Sequence, residues 1–519
     1  MMLQKTRDSL EKKIQMADLI RIPEPQLLFR YDQAIEDPRD GLTLFGPLDE
    51  GKPYGIRWGI VGTENGIRIF SDWVKRINSV IYDEEKGIAR PPFYGFETIF
   101  RTPWTLKPEI QLIVDQTEID NYVYLDDSHQ RIYKTVDCFA SKIISAVNED
   151  EKRVDIWFVV IPEIIYKNCR PLSVVEQDLK VKSKGGINKQ IAALLTKQYP
   201  LWEQELEDAE PYYYELNFHN QLKARLLQYR VLTQIVRETT IAPWEFPDRF
   251  DRPARGMDKL QASVAWNIST SIFYKAGGRP WKINNIRDGV CYVGMVFKQM
   301  PSGSDQKNAC CAAQLFLDSG DGMVFKGNVG PWYNPSLGDY HLDKTAAKEL
   351  TEFAVRTYRQ VKGCEPKELF IHGKVSFNDD EWAGFNNGVD KDTNLVGVQI
   401  RESTDIKLFR DARMPILRGL GYIRPNNKSA FLWTKGYIPR LQTYPGREVP
   451  NPLYVNISKG RADILIMLSD ILALTKLNYN ACIYGDGLPV TLKFADAVGE
   501  ILTAGPLLGE IPLPFRHYI

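Results

Sequence analysis

The stretch RVDIWFVVIP places six apolar residues, Ile156 to Ile161, in a row with no polar position to turn toward water. A strand that is apolar on both faces has to be covered on both, which is the situation of a parallel strand between two layers of helix. From about residue 55, other strand-like runs alternate with amphipathic stretches, first GIRWGIVG and then GIRIFSDWVKRINSVIY. The first half therefore has α/β rhythm. The 519 residues leave chain for roughly two to four domains with sizeable cores.

Caps and breakers place the other elements. Residues 1 to 16 alternate apolar and charged positions in helical fashion and run into the Pro-rich RIPEPQLLF, which predicts a short helix followed by an extended lead-in. HNQLKARLLQYRVLTQIV (219–236) contains a helix with Leu222, Leu226 and Leu227 on one face. QASVAWNISTSIFYKAGGRPW (261–281) predicts a helix that stops at Gly277-Gly278, ahead of Pro280. The segment KVKSKGGINK (180–189) has no periodicity and predicts a surface loop. Strands in series follow, CYVGMVFK, ACCAAQLFLDSG and MVFKG, and then the helical DKTAAKELTEFAVRTYRQV precedes a buried strand in ELFIHGKVSF. Three antiparallel strands, a helix and a parallel strand are the order of a ribonuclease-H-like fold. Asp379, Asp380 and Glu381, just before Trp382, predict a helix N-terminus, where carboxylates meet the positive end of the helix dipole.

Lys and Arg together number 66 and Asp and Glu together 66, so the formal charge is zero and a uniformly basic nucleic-acid coat is excluded. A hydrophobic fraction of 44% with 25% charged residues belongs to a globular protein, not a disordered one. No stretch approaches the roughly 20 apolar residues of a membrane span, and the start of the chain is charged throughout, so a cytoplasmic protein with no membrane association is expected. Seven scattered cysteines without a CxxC pair point to small buried hydrophobes in a reducing compartment, not to disulfides or structural zinc. The five histidines include no HExxH spacing.

The zero net charge conceals local segregation. Between Ala412 and Arg447 there are seven basic residues (Arg413, Arg418, Arg424, Lys428, Lys435, Arg440, Arg447) and no Asp or Glu, interleaved with Tyr422, Phe431, Trp433, Tyr437 and Tyr444. Cations with planar groups between them suit a groove for nucleic-acid backbones. A solvated strand-loop region with chance clustering gives the same text, and the window alone does not choose. A second acid-free window, Gln261 to Arg287, carries Lys275, Arg279, Lys282 and Arg287, with Lys275-Ala-Gly-Gly at the end of the predicted helix. A cation and open backbone amides there could face one anion. His219 and Lys223 lie four residues apart on one helix face, with Gln234 eleven residues further on.

His219-x-x-x-Lys223, then Gln234, then Lys275-Ala-Gly-Gly, resembles the guide 5′-phosphate pocket of the MID domain in Argonaute proteins. The second half resembles a PIWI domain, with CYVGMVFK as its first strand, LFIHGKVSFNDDEW as the later His-containing strand and LTKLNYNACIYGDGLPVTLKFADAVGEIL as its C-terminal helix-loop-helix. Taken together, DPRDGLTLFGPL, YKAGGRPW, NACCAAQLFLDSGDG, VGPWYNP and FNDDEW resemble the short prokaryotic Argonautes that pair with a TIR-APAZ protein, the SPARTA immune systems, which lack N and PAZ domains.

The resemblance implies an α/β architecture: a lead-in over 1–50, a Rossmann-like MID domain over 51–260 and a ribonuclease-H-like PIWI domain over 261–519. It implies a guide RNA whose 5′-phosphate is held by His219, Lys223, Gln234 and Lys275, with Mg²⁺ bridging to the carboxylate of Ile519. The guide-target duplex would follow a channel containing Arg413, Arg418, Arg424, Lys428, Lys435 and Arg440. Slicing needs clustered carboxylates around two metal ions. Here Val296 takes the place of the first Asp, Lys374 stands where a second is expected, and only Asp496 remains, so no nuclease activity is expected. The implied function is sensing of complementary invader single-stranded DNA. Target binding would drive oligomerisation of the heterodimer with TIR-APAZ and NAD hydrolysis in that partner. Alternatives are a sirtuin-like or nuclease effector as partner, or a self-sufficient guided nuclease, which the replaced carboxylates oppose.

Overall fold

The computed structural model describes residues 19–84, 87–149, 153–183, 187, 190–192, 207–284, 287–299, 308–317, 322–331, 333–334, 339–506 and 513–519. The predicted helix over 1–16 and parts of the 180–189 loop lie outside these residues.

Two sheets organise the chain. The first has four parallel strands in the order β3-β2-β4-β5, with β2 at Trp58–Gly62, β3 at Ile110–Ile113, β4 at Ile156–Ile161 and β5 at Thr233–Arg237. Every residue of β4 is buried, as its unbroken apolar run demands. Helices α1 (Glu64–Ile77) and α2 (Ser128–Glu149) belong to this unit. Thr63 caps α1 by accepting from Gly66 N, and Phe70 on that helix packs on Phe158 of β4 with ring centroids 4.6 Å apart. Helix α3 (Phe218–Leu226) leads into β5 and buries Leu222 and Leu226.

The second sheet has ten strands, in the order β1-β11-β12-β13-β10-β9-β6-β7-β8-β14. These are β1 (Leu19–Arg21), β6 (Val290–Gln299), β7 (Asn308–Leu317), β8 (Gly322–Pro331), β9 (Glu368–Gly373), β10 (Asn394–Glu402), β11 (Leu420–Ile423), β12 (Ser429–Trp433), β13 (Leu453–Lys459) and β14 (Leu513–Pro514). Strands β6, β7 and β8 are antiparallel neighbours and β9 lies parallel to β6, the order expected of a ribonuclease-H-like fold. The fold class is therefore the α/β arrangement expected.

The lead-in is not a separate unit. Strand β1 pairs with β11, and Glu24 joins a buried ion cluster with Arg418 and Lys476 of the second half.

Helix α4 (Gln261–Lys275) joins the two sheets, with Ala265, Trp266, Ile272 and Phe273 in one core cluster that also contains Trp58 and Phe158 of the first sheet and Tyr292 and Val398 of the second. It stops where the glycines predict: Gly277 has φ +97°, and a side chain on Gly278 would strike the Phe273 ring. The other helices used below are α5 (Lys344–Lys362), α6 (Asp379–Asn387), α7 (Ile464–Leu474) and α8 (Val490–Leu502). No described helix is long and apolar enough to cross a membrane. Cys138, Cys169, Cys291 and Cys482 are buried thiols as expected, whereas Cys364, in the turn after α5, is exposed.

Candidate nucleic-acid interface

Three elements bring their ends to one place. Asn217 caps α3 by accepting from His219 N and Asn220 N, which sets His219 in the first turn and Lys223 one turn later. Strand β5 begins with Thr233 and Gln234, and α4 ends on Lys275. Lys275 Nζ donates to Thr233 O at 3.0 Å and to Gln234 Oε1 at 2.7 Å. Ser271, one helical turn before Lys275, donates its hydroxyl to the same Gln234 oxygen at 3.2 Å. Lys223 Nζ donates to the main-chain oxygen of Ile519. The structure thus brings His219, Lys223, Gln234, Lys275 and Ile519 together, although they are spread over 300 residues of sequence.

The pocket is poor in negative charge. Lys223 and Lys275 are 3% and 2% exposed, and among the described residues no Asp or Glu pairs with either. Burial pushes Lys223 down to about 7, and burial together with the charge of Lys223 holds Lys275 well below its ordinary value. The same surroundings, and after them the two lysines, push His219 down, although the residue is exposed at the surface. Buried cations with no Asp or Glu beside them cost stability, and a dianion bound between them would lower that cost.

The segment 513–519 closes the pocket from the side. Phe515 stacks on Phe494 of α8 at 4.1 Å, and Tyr518 and Ile519 are buried. A side chain on Gly277 would sit 3.0 Å from the guanidinium of Arg516, so the glycine admits that cation. His517 is pushed down to about 4 by burial, then by Arg516, Arg230 and Lys223. Arg516 and Arg230 were not legible as site residues, since only the fold brings them, with Lys223, to His517.

A second centre lies where α8 crosses β6. A side chain on Gly294 would stand 2.0 Å from Thr491 O, so helix and strand touch there. Two residues along the strand, about 7 Å, is buried Val296, and five residues along the helix, about 7.5 Å, is Asp496. Gly373 pairs with Met295, which brings Lys374 to the same level. Lys298 Nζ binds Asp496 at 2.7 Å and Glu500 at 3.2 Å, and Lys374 Nζ binds the other Asp496 oxygen at 3.3 Å. Burial raises the Asp496 carboxyl, but the two lysines outweigh it and hold the group below its ordinary value. Lysine ammonium groups thus occupy both Asp496 oxygens, and among the described residues no group of three His, Cys, Asp or Glu could bind a metal ion. Lys298 could have been found from the sequence, because it lies two residues beyond Val296 on the same strand face.

Neighbouring polar residues are structural. His372 is fully buried, bonded through Nδ1 to Thr491 Oγ1 at 2.9 Å, and pushed down to about 3 by burial. Asn378 caps α6, whose first turn holds Asp379, Asp380 and Glu381 as expected; Glu381 is buried on His341 and Leu342 N, and Asp379 pairs with Lys459.

The basic windows divide differently from the sequence-based expectation. Arg418 is buried, with its guanidinium on Glu24, Thr434 O and Thr475 Oγ1, so it has no face left for a nucleic-acid channel. Arg279 and Arg287 find Asp49 and Asp470, each at 2.8 Å, whereas Lys275 of the same window reaches Thr233 O and Gln234. Arg424 and Lys428 are exposed in the turn between β11 and β12. Lys435 and Arg440 lie beyond the far end of β12 and pair with Glu402 and Asp40. Arg413 is exposed before β11. One strand length, about 15 Å, therefore separates the exposed cations into two groups. The interleaved aromatics partly belong to the sheet: Tyr422, Phe431 and Tyr454 stack across β11, β12 and β13, and Trp433 is buried.

A two-sheet α/β protein with a cationic pocket at the junction and a carboxylate-poor ribonuclease-H-like centre has the MID-PIWI fold, and solved structures agree. The chain is similar to the Argonaute of Clostridium butyricum bound to a guide DNA with a 5′ deoxycytidine and a 19-mer target DNA, at 15% identity and a TM-score of 0.61, over 96% of this chain and 54% of that one. It is similar to the A. aeolicus Argonaute at 16% identity and a TM-score of 0.52, over 99% of this chain and 59% of that one. Drosophila Piwi gives 12% identity and a TM-score of 0.54, over 96% and 56%. The chain spans a little over half the length of these proteins. No family model matches the sequence, and no curated protein does.

Proposed function

We propose that this chain is a short Argonaute-type protein that binds a guide RNA by its 5′-phosphate and senses complementary single-stranded DNA without cutting it. The observation that carries this reading is the pair of buried lysines, Lys223 and Lys275, converging with His219 and Gln234 where, among the described residues, no Asp or Glu pairs with either. A phosphate monoester is nearly a dianion at neutral pH and supplies the missing charge. Two charge-assisted hydrogen bonds of roughly 1.5 to 3 kcal/mol each would favour a phosphorylated guide by about a hundredfold or more.

The oxygens of Gln234 and Ile519 suit a hard cation such as Mg²⁺, which takes one or two protein oxygens and completes its shell with waters and phosphates. Bound there, Mg²⁺ would neutralise guide phosphate charge. The protein's own part is to desolvate the phosphate and to donate hydrogen bonds from Lys223 and Lys275. The exposed Arg413, Arg424 and Lys428, with Lys435 and Arg440 once released from their acids, would line the path of the duplex backbone, while base pairing carries the sequence information.

The Asp496 centre, held by two lysines, supports a non-cutting role, so the paired state has to be reported through a partner. The partner we propose is a TIR-APAZ protein whose NAD hydrolysis starts when target binding drives oligomerisation. The test is co-purification with the product of the adjacent gene, sequencing of bound nucleic acid, and an NAD assay with matched and mismatched single-stranded DNA. NAD loss that does not depend on a complementary target would refute the sensor. Equal affinity for phosphorylated and hydroxyl guides would refute the pocket. A sirtuin-like or nuclease partner would appear as a different effector in the same purification.

A further inference from the structure

His219 is not free to choose its tautomer. Its Nδ1 lies 3.0 Å from Asn220 Oδ1, and Asn220 Nδ2 donates to Glu215 Oε2 at 3.1 Å. A carboxylate only accepts, so it fixes the Asn220 amide with nitrogen toward Glu215 and oxygen toward the ring. An amide oxygen also only accepts, so the proton of the neutral imidazole must be on Nδ1. Among the described residues Nε2 has no hydrogen-bond partner, and His219 is an exposed residue.

The relay is anchored independently of its side chains. Glu215 N donates to Ala504 O at 2.9 Å, just beyond the end of α8, and Glu215 O accepts from Gln221 Nε2 at 3.2 Å. On its other side the Glu215 carboxylate feels Glu500 and Lys298 of the Asp496 centre. The groups that face the His219 ring are Asn220, Lys223 and Lys275.

We propose that Glu215 is a positioning residue that, through Asn220, holds His219 as the Nδ1–H tautomer and supports its protonation when an anion enters. This rests on the phosphate-pocket reading above. In the empty pocket Nε2 presents a lone pair. When a phosphate dianion binds, Nε2 takes one proton from solvent, and the imidazolium donates from Nδ1 to Asn220 and from Nε2 to a phosphate oxygen. Asn220 Oδ1 accepts in both states, so the ring need not turn.

The test is ¹⁵N NMR of the histidine-labelled full chain without guide, with the His219 signal assigned by its loss in His219→Gln. The expected result is the Nδ1–H pattern in the unsubstituted chain, its loss in Glu215→Ala, and its return in Glu215→Gln, whose amide oxygen still accepts from Asn220. An Nε2–H pattern in the unsubstituted chain, or an unchanged pattern in Glu215→Ala, overturns the proposal. The second readout is affinity for phosphorylated and hydroxyl guides against pH. Glu215→Ala should lose roughly tenfold of the phosphate preference near neutral pH, and its pH slope should be shallower by up to one proton. Lys223 titrates in both proteins, so only the difference between them reports His219. If the tautomer behaves as expected but no phosphate preference exists, the pocket reading fails and the relay stands. If Lys275→Met abolishes the preference while Glu215→Ala changes neither readout, the relay alone fails.

Discussion

Replacing Lys223 by methionine should make the guide-free protein more stable while removing its preference for a phosphorylated guide. Burial pushes this ammonium from 10.5 down to about 7. At 1.36 kcal/mol per pH unit, keeping it charged in the fold costs roughly 4 to 5 kcal/mol. Against that stands its hydrogen bond to the Ile519 oxygen, worth about 1.5 to 3 kcal/mol for a charged donor. Methionine fills similar space without charge. The balance favours the variant by about 2 kcal/mol, and the sign of its pH dependence follows. With the folded value below the unfolded one, the penalty is full below about pH 7 and fades as pH rises through 10.5, above which both states are neutral. Urea midpoints at pH 6.5 and pH 10.5 measure this, with phosphorylated and hydroxyl guide affinities in parallel. A Lys223→Met protein that is less stable at both pH values would show that the lysine is there for packing. One that keeps its phosphate preference would remove Lys223 from the pocket.

The other features predict separate outcomes. Lys298→Met with Lys374→Met leaves Asp496 without a cation, so the stability that its depressed carboxyl contributes above the ordinary carboxylate range, and that is lost as pH falls through it, should be missing from an acid titration. Gly294→Ala places a methyl group against Thr491 O and should cost at least about 2 kcal/mol in chemical denaturation by forcing α8 off β6. Arg418→Met should destabilise by roughly 3 to 5 kcal/mol, because it breaks a buried cluster on Glu24, without altering the salt dependence of nucleic-acid binding. By contrast, Arg424→Ser or Lys428→Ser should reduce the salt slope of binding by about one ion each and leave the denaturation midpoint in place.

The chemistry that acts within a few residues was legible in the sequence. The apolar run at 156–161 reads as a doubly covered strand and Gly277-Gly278 as the end of α4, because these depend on side-chain polarity and backbone freedom along a short stretch. Helical spacing likewise puts His219 and Lys223 on one face of α3. Tertiary structure decided which charges remain available. Arg418, Arg279 and Arg287 stand in acid-free windows, yet each finds a carboxylate more than 50 residues away, on Glu24, Asp49 and Asp470. Lys223 and Lys275 find no Asp or Glu among the described residues, and Ile519 reaches the former only through the fold. Lys298 and Lys374 meet Asp496 because α8 runs along β6 from the contact at Gly294. A side chain's charge environment is set by distance in space, and a window of sequence reports only the neighbours that the chain itself supplies.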